Sequence, residues 1–338
     1  MHNYLDYKKY NSELVPLFQD ENFQDSHYLI QKSNSSKLKF LNSIKTKKGY
    51  KRYLKSPLRY GGGKSLAVGS ILEHFPDDIQ RVVSPFIGGG SVEVALAREL
   101  KIEVIAYDIF NLLVNYWNVQ INRPIDLYNG LSALKNTKEE YERVKNIIKE
   151  IWNKNDGLLE NNYSELELAT YYYFNHNLSY GPGFLGWMSS IYTDERKYNS
   201  MLEKVKTFNV KNLKVFNERF ESSIPKHNTD FLYLDPPYYL EGDSKMFKGI
   251  YPMRNFPIHH NSFNHELLAK LLKEHKGGFV LSYNDCTWIR EAYKDFKIID
   301  IAWQYTMGQG ETRIGKNRNE REFDKKNIKS SHELLIIG

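Results

Sequence analysis

From Ser56 onward, apolar residues fall in short runs bounded by glycine, proline and polar turns, the pattern of strands buried in a sheet. Arg81-Val82-Val83-Ser84 predicts one strand, and Ile102 to Tyr107 predicts a second that ends at Asp108. Between them lies Pro85-Phe86-Ile87-Gly88-Gly89-Gly90, after which Ser91 is placed to cap a helix over residues 91–100. A strand, a glycine turn, a helix and a second strand make the opening unit of a doubly wound α/β fold. Between about Asn111 and Lys211 helical spacing takes over. Val144, Ile147, Ile148, Ile151 and Trp152 share one helix face, and Ser164 with Glu167 forms a capping box ahead of a helix over residues 166–174. Tyr171, Tyr172 and Tyr173 read as a packed face of that helix, and residues 175–187, rich in glycine and aromatics, as a loop. Strand-like runs return at residues 213–216, 231–234, 278–283, 298–303 and 333–337, the last two placed to pair antiparallel. The expected fold is therefore α/β and Rossmann-like: a seven-stranded mixed sheet with helices on both faces and an inserted, mainly helical domain. The expected boundaries are 1–55 for an N-terminal extension, 56–111 with 212–338 for the sheet domain, and 112–211 for the insertion.

Charge changes this picture at one end only. Of a formal net charge of +6, all is carried by residues 1–56; the remainder is balanced. Nine positive side chains lie between Lys32 and Lys55 with no acid among them, so the extension is basic enough to meet phosphates. No run approaches the roughly 18 apolar residues of a membrane helix, and the start has no apolar signal core. The one cysteine, Cys286, cannot close an intrachain disulfide, and no paired-histidine metal motif occurs. The expectation is a cytoplasmic protein that needs neither membrane nor metal.

The most specific chemistry follows the strand Phe231-Leu232-Tyr233-Leu234, at Asp235-Pro236-Pro237-Tyr238. Two prolines end the strand and remove two amide donors, leaving a carboxylate, the Pro236 carbonyl and an aromatic ring together. An exocyclic amino group carries two N–H donors, one for Asp235 and one for the Pro236 carbonyl, with Tyr238 stacking on its ring. Gly88-Gly89-Gly90 permits close backbone approach to a ligand. Asp108, twenty residues past Gly88, stands where an acid accepts hydrogen bonds from ribose hydroxyls. A competing motif, Gly61-Gly62-Gly63-Lys64-Ser65, ends like a phosphate-binding loop. It lacks the required earlier glycine, since that position is Leu58, and no apolar strand precedes it.

From residue 56 to the end, the chain resembles the DNA adenine N6-methyltransferases of the Dam type. Tyr60-Gly61-Gly62-Gly63-Lys64 is similar to that family's opening Trp-Ala-Gly-Gly-Lys, with Tyr for Trp and Gly for Ala. Residues 85–92 are similar to its cofactor loop, Tyr107-Asp108-Ile109 to its acidic strand end, and Asp235-Pro236-Pro237-Tyr238 matches its catalytic motif without change. Ser282-Tyr283-Asn284 and residues 332–336 resemble its later strands. The resemblance implies S-adenosyl-L-methionine as cofactor, bound around Tyr60, Gly61, Lys64, Pro85, Phe86, Gly88, Gly90, Ser91, Asp108, Ile109 and Asp235. It implies a methyl transfer carried by residues 235–238 to an adenine flipped out of double-stranded DNA, in a restriction-modification system with a cognate endonuclease or as an orphan enzyme. Alternatives are another planar amine, such as adenine in RNA or cytosine N4 in DNA, and an inactive DNA-binding relative. The inserted domain is then the one that recognises the target, with Asn175, His176, Tyr180 and Trp187 as candidate DNA contacts. Lys245 and Arg254, in a loop expected to clasp DNA over residues 240–262, and the basic stretch 311–329 add candidates for phosphate contact.

Overall fold

A computed structural model describes residues 35–47, 49–155, 163–180, 183–239, 263–301 and 333–338. Its first elements, helix α1 (Ser36–Ile44) and the antiparallel hairpin of β1 (Lys45–Thr46) and β2 (Gly49–Tyr50), belong to the basic extension. They pack rather than hang free. Leu41 is buried, Lys37 donates to the Phe75 carbonyl at 2.6 Å and pairs with Asp77, and Tyr53 donates to Glu99 at 2.9 Å. The ring of Tyr50 lies against α2 (Val68–Leu72) at Gly69, where an added Cβ would come within 2.2 Å of it.

All seven expected strands form one sheet. β3 (Arg81–Ser84), helix α3 (Ser91–Glu99) and β4 (Glu103–Asp108) open it, and five helices follow: α4 (Asn111–Asn122), α5 (Pro124–Ser132), α6 (Lys138–Asn155), α7 (Glu165–Leu178) and α8 (Glu195–Lys206). The chain then returns as β5 (Leu213–Asn217), α9 (Phe220–Lys226), β6 (Phe231–Leu234), α10 (His265–Glu274), β7 (Phe279–Asn284), α11 (Thr287–Ala292), β8 (Lys297–Ile301) and β9 (Glu333–Ile337). The strand order is β5-β4-β3-β6-β7-β9-β8, with β9 antiparallel to both neighbours and the other pairs parallel. The chain winds outward from β3 to β5, then starts again from the centre at β6. The carboxyl ends of β3 and β6 therefore lie side by side at a topological switch point, where ligands bind in open α/β sheets.

Period-two alternation along the central strands divides the core. Val82, Val104, Ala106, Tyr233, Val280 and Leu335 pack into one apolar cluster; Val83, Tyr107, Leu232, Leu234, Leu281 and Ile336 pack into another. The first cluster continues without interruption into the helical segment. Trp117 and Tyr116 of α4, Tyr141 of α6 and Tyr172 and Tyr173 of α7 are all fully buried in it. Tyr173 also donates to the Pro57 carbonyl at 3.1 Å, tying α7 to the irregular segment before the glycine run at 61–63.

Two boundaries differ from those the sequence suggests. Ser91 is the first helical residue and not the cap; Gly90 takes the cap position in the left-handed region, at φ +62°. The capping box of Ser164 and Glu167 forms as expected, but α7 runs on through Leu178, four residues past Phe174, because residues 175–178 are themselves buried. Among the described residues, no helix is long and apolar enough to cross a membrane.

At Gly90 both the backbone and the surroundings exclude a side chain: an added Cβ would lie 2.6 Å from the ring of buried Trp117. Gly90→Ala is expected to destabilise the fold by at least about 1–3 kcal/mol, the ordinary penalty of a non-glycine residue there. Chemical denaturation measures it; a wild-type midpoint would refute the role given to this turn.

Candidate active site

The site is assembled from the carboxyl ends of three adjacent strands. After β3 the chain turns through Gly88-Gly89-Gly90, with Gly88 also in the left-handed region at φ +43°. Three contacts pin this turn. The Gly88 amide donates to Asp108 at 3.2 Å, the Ile87 amide donates to the Tyr107 carbonyl at 2.9 Å, and the Trp117 indole N–H donates to the Gly88 carbonyl at 3.0 Å. Asp108, at the end of β4, also accepts from the Phe110 amide at 3.0 Å, and burial pushes its carboxyl up to about 6. The Ile109 amide is a third backbone partner; a carboxylate can accept about four hydrogen bonds, so capacity for a ligand hydroxyl remains beside these backbone bonds.

The Tyr60 side chain lies across the glycines. A Cβ on Gly89 would meet the Tyr60 Cβ at 2.6 Å, so the absence of side chains there is what admits the ring. On its other side Tyr60 stacks on His176, with ring centroids 5.4 Å apart and planes at 23°, and His176 stacks in turn on Tyr172. Burial, helped by the nearby Arg59 charge, lowers His176 to about 3, so this imidazole is a neutral spacer between two phenols at physiological pH.

Asp235 follows β6. Its carboxylate pairs with the Lys64 ammonium at 2.7 and 2.9 Å, and the same ammonium stands 4.9 Å from the centre of the Tyr238 ring. Burial pushes Asp235 up, and the Lys64 charge and hydrogen bond oppose it. The Tyr238 hydroxyl donates to Glu333 of β9 at 2.5 Å, fixing the ring. The carboxamide of Asn284, at the end of β7, closes a pair of bonds on the backbone of Tyr239, accepting from its amide at 2.9 Å and donating to its carbonyl at 2.8 Å. The Pro236 carbonyl accepts no hydrogen bond from any described residue. Prolines thus remove donors, and Asn284, Glu333 and Lys64 hold what remains.

Every residue expected around the cofactor, and all of Asp235–Tyr238, lines a single cavity of about 330 Å³. Phe86, Phe220 and Phe263 meet at one of its walls, with Phe220 and Phe263 centroids 4.9 Å apart. This donor set suits a nucleoside: an apolar aromatic wall for a planar ring, an acid at a strand end for hydroxyls, and a glycine turn free of side chains. No three His, Cys, Asp or Glu among the described residues group as metal ligands.

The expected DNA contacts divide. Asn175 and His176 are buried, at 0 and 4 % exposure, so neither reaches a duplex from this surface. Asn175 accepts from the Leu185 amide at 2.8 Å and thereby anchors the turn that follows α7. Both were assigned to a loop; they lie instead in the last turn of α7. The turn that follows α7 presents Tyr180 and Trp187, 62 and 80 % exposed, joined by a 2.6 Å bond from the Tyr180 amide to the Trp187 carbonyl. Lys245, Arg254 and the stretch 311–329 lie outside the described residues.

Sequence reasoning missed Glu93, Trp117, Phe220, Phe263, Asn284 and Glu333. Glu93 had a signal: it is a lone acid among Val92, Val94, Ala95 and Leu96 in the first turn of a helix that follows a glycine loop. It is buried in the cavity wall, accepts from Ser84 at 2.7 Å, and burial pushes it up to about 8.

The profile of the D12 class N6 adenine-specific DNA methyltransferases matches residues 60–307. The chain belongs to this family. Among similar characterised proteins, Modification methylase StsI of Streptococcus sanguinis is 25% identical over 354 residues, covering 98% of this chain and 50% of that protein. Type II methyltransferase M1.LlaDCHI of Lactococcus lactis subsp. cremoris is 24% identical over 279 residues, 76% of this chain and 91% of the relative. Type II methyltransferase M.FokI of Planomicrobium okeanokoites is 26% identical over 204 residues, 55% of this chain and 29% of the relative. The chain thus spans half of the StsI methylase and less than a third of M.FokI.

Glu93 is protonated in the fold and ionised in the unfolded chain between about pH 4.5 and 8. The native state binds more protons in that window, so stability falls as pH rises through it, by up to about 1.4 kcal/mol per pH unit. Glu93→Gln is expected to remove that slope. Thermal unfolding at pH 5 and pH 9 reads it: the variant gains on wild type at pH 9, and an equal gap at both values contradicts a buried neutral acid.

Proposed function

We propose that this chain transfers a methyl group from S-adenosyl-L-methionine to N6 of an adenine flipped out of double-stranded DNA. The observation that carries the reading is the placement of Asp235, the unclaimed Pro236 carbonyl and the Tyr238 ring in the same cavity as the Gly88–Gly90 turn and Asp108. When bound, the cofactor supplies a methyl already activated by its sulfonium. Phe86, Phe220 and Phe263 are placed to hold its base, Asp108 its ribose, and Tyr60 with the glycine turn the remainder.

The residues of this chain then have three tasks. Asp235 and the Pro236 carbonyl each accept one N–H of the exocyclic amine, which orients the nitrogen lone pair and stabilises positive charge as the new bond forms. Tyr238, fixed through Glu333, presents a stacking face that recovers part of the few kcal/mol needed to extrude the base. Lys64 opposes the upward push of burial on Asp235 and so favours its ionised form, and the entering amine shares or replaces that contact. Proton transfer is not required before attack: the nitrogen–methyl bond forms as the sulfonium–methyl bond breaks to leave a neutral thioether, and the amine's extra proton then passes to solvent, directly or by way of the Asp235 carboxylate.

The helices between β4 and β5 are proposed to read the target, with Tyr180 and Trp187 on the exposed turn as base or backbone contacts. The names of the relatives, a modification methylase and two Type II methyltransferases, support a restriction-modification setting with a cognate endonuclease; the proposed location is the cytoplasm, on nucleoid DNA.

Asp235→Ala is expected to reduce methyl incorporation into duplex DNA at least about a hundredfold, by loss of an electrostatic partner of the transition state. DNA binding should persist. Labelled-methyl transfer and gel-shift titration test both, and near-normal turnover by this variant would remove Asp235 from the chemistry. Lys64→Ala should raise the pKa of Asp235, so the acidic limb of the kcat/KM profile moves to higher pH. An unmoved limb would mean that Lys64 does not hold the carboxylate ionised.

A further inference from the structure

A second cavity, of about 360 Å³, lies behind the catalytic one and shares with it Tyr60, Gly62, Gly63 and Ser91. Four cations line it, Arg52 and Arg59 from the segment before the glycine run and Lys197 and Lys204 from α8, with Ser200 between the lysines in sequence; no acidic residue lines it. Lys197, Ser200 and Lys204 fall at i, i+3 and i+7 of α8, so one helix face is turned to the groove. Neither lysine has an ion-pair partner among the described residues, whereas Lys206, on the same helix, has Glu203. Burial lowers Arg52 from its ordinary value, so the groove holds positive charge partly withdrawn from water.

We propose that this groove binds successive phosphates of the DNA backbone beside the target base, an inference that rests on the DNA-methyltransferase reading above. The charge extends beyond the groove through exposed Lys51 and Lys55, a longer track than one small anion needs. Arg59 donates to the carbonyls of Asn177 at 2.8 Å and Ser179 at 3.4 Å, so it supports the root of the turn that displays Tyr180 and Trp187. The Tyr60–Lys64 loop separates the groove from Asp235, to which Lys64 is paired. A strand seated in the groove thus has the catalytic cavity on one side and the exposed aromatic turn on the other. In this arrangement the folded part of the basic extension contributes Arg52 to DNA binding directly.

The test is the salt dependence of duplex binding by the full chain. Each lost phosphate contact lowers the slope of log K against log salt by about 0.9. The double variant Lys197→Ala/Lys204→Ala is therefore expected to lower it by about 2 and weaken binding about tenfold or more at low salt. Alanine suits these exposed helical positions, and circular dichroism checks the fold. Lys214→Ala, at a sheet-edge lysine paired with Glu103, serves as control and should leave the slope unchanged. An unchanged slope in the double variant overturns the proposal. So does a loss of S-adenosyl-L-methionine affinity with the slope intact, which would assign the groove to the cofactor. Inorganic phosphate at constant ionic strength should compete no better than chloride; selective phosphate binding with an unchanged DNA slope would also overturn it. If wild type binds DNA with the expected slope change but transfers no methyl, the activity reading fails and the groove stands.

Discussion

The rest of the site depends on holding one half-buried carboxylate against a single ammonium. Asp235 sits at the end of a central strand, where desolvation favours its neutral form, and a neutral acid would be a weaker acceptor for an amine that gains positive charge. Lys64 answers this with a pair at 2.7 Å, but only if the loop carrying it is held against the sheet. That requirement explains the stacking of Tyr60 on His176 and His176 on Tyr172, and the bonds from Tyr173 and Arg59 that tie residues 57–60 to α7. The helical segment is therefore part of the catalytic frame as well as a candidate reader of DNA.

Glu93 sharpens the same point. It stands in the same cavity wall, adjoining the electrostatic surroundings of Asp235 and Lys64, yet burial holds it protonated near neutral pH. Two acids in one cavity are thus held differently: the Lys64 contact opposes the effect of burial at Asp235, whereas at Glu93 burial prevails. A single ammonium cannot compensate two carboxylates; the one bonded by Ser84 remains neutral.

Much of this was legible in the chain because strands buried on both faces leave uninterrupted apolar runs. The glycine turn, Asp108 and Asp235 stand where those runs stop. The five inner strands and the site's main carboxylates followed from that grammar, while the edge strands β5 and β8 show shorter, half-exposed runs. What escaped was set by long-range contact. Asn175 and His176 look like a polar loop until α7 is seen to bury its last turn, and no local pattern reveals that Tyr60 needs an aromatic partner 116 positions away. Phe220 and Phe263 are far apart in sequence and become a wall only when the packing of α9 against α10 brings them together. The packing of the basic extension escaped for a related reason: Lys37 and Tyr53 find their acceptors on the sheet domain, beyond reach of a composition count.

Nucleoside analysis of a duplex exposed to the purified chain and S-adenosyl-L-methionine tests the central claim most directly. After enzymatic digestion, mass spectrometry should find N6-methyladenine as the product, absent when the cofactor is withheld. Methyl groups on cytosine N4, methylation confined to RNA, or no modified nucleoside on a duplex library containing all short sites would contradict it.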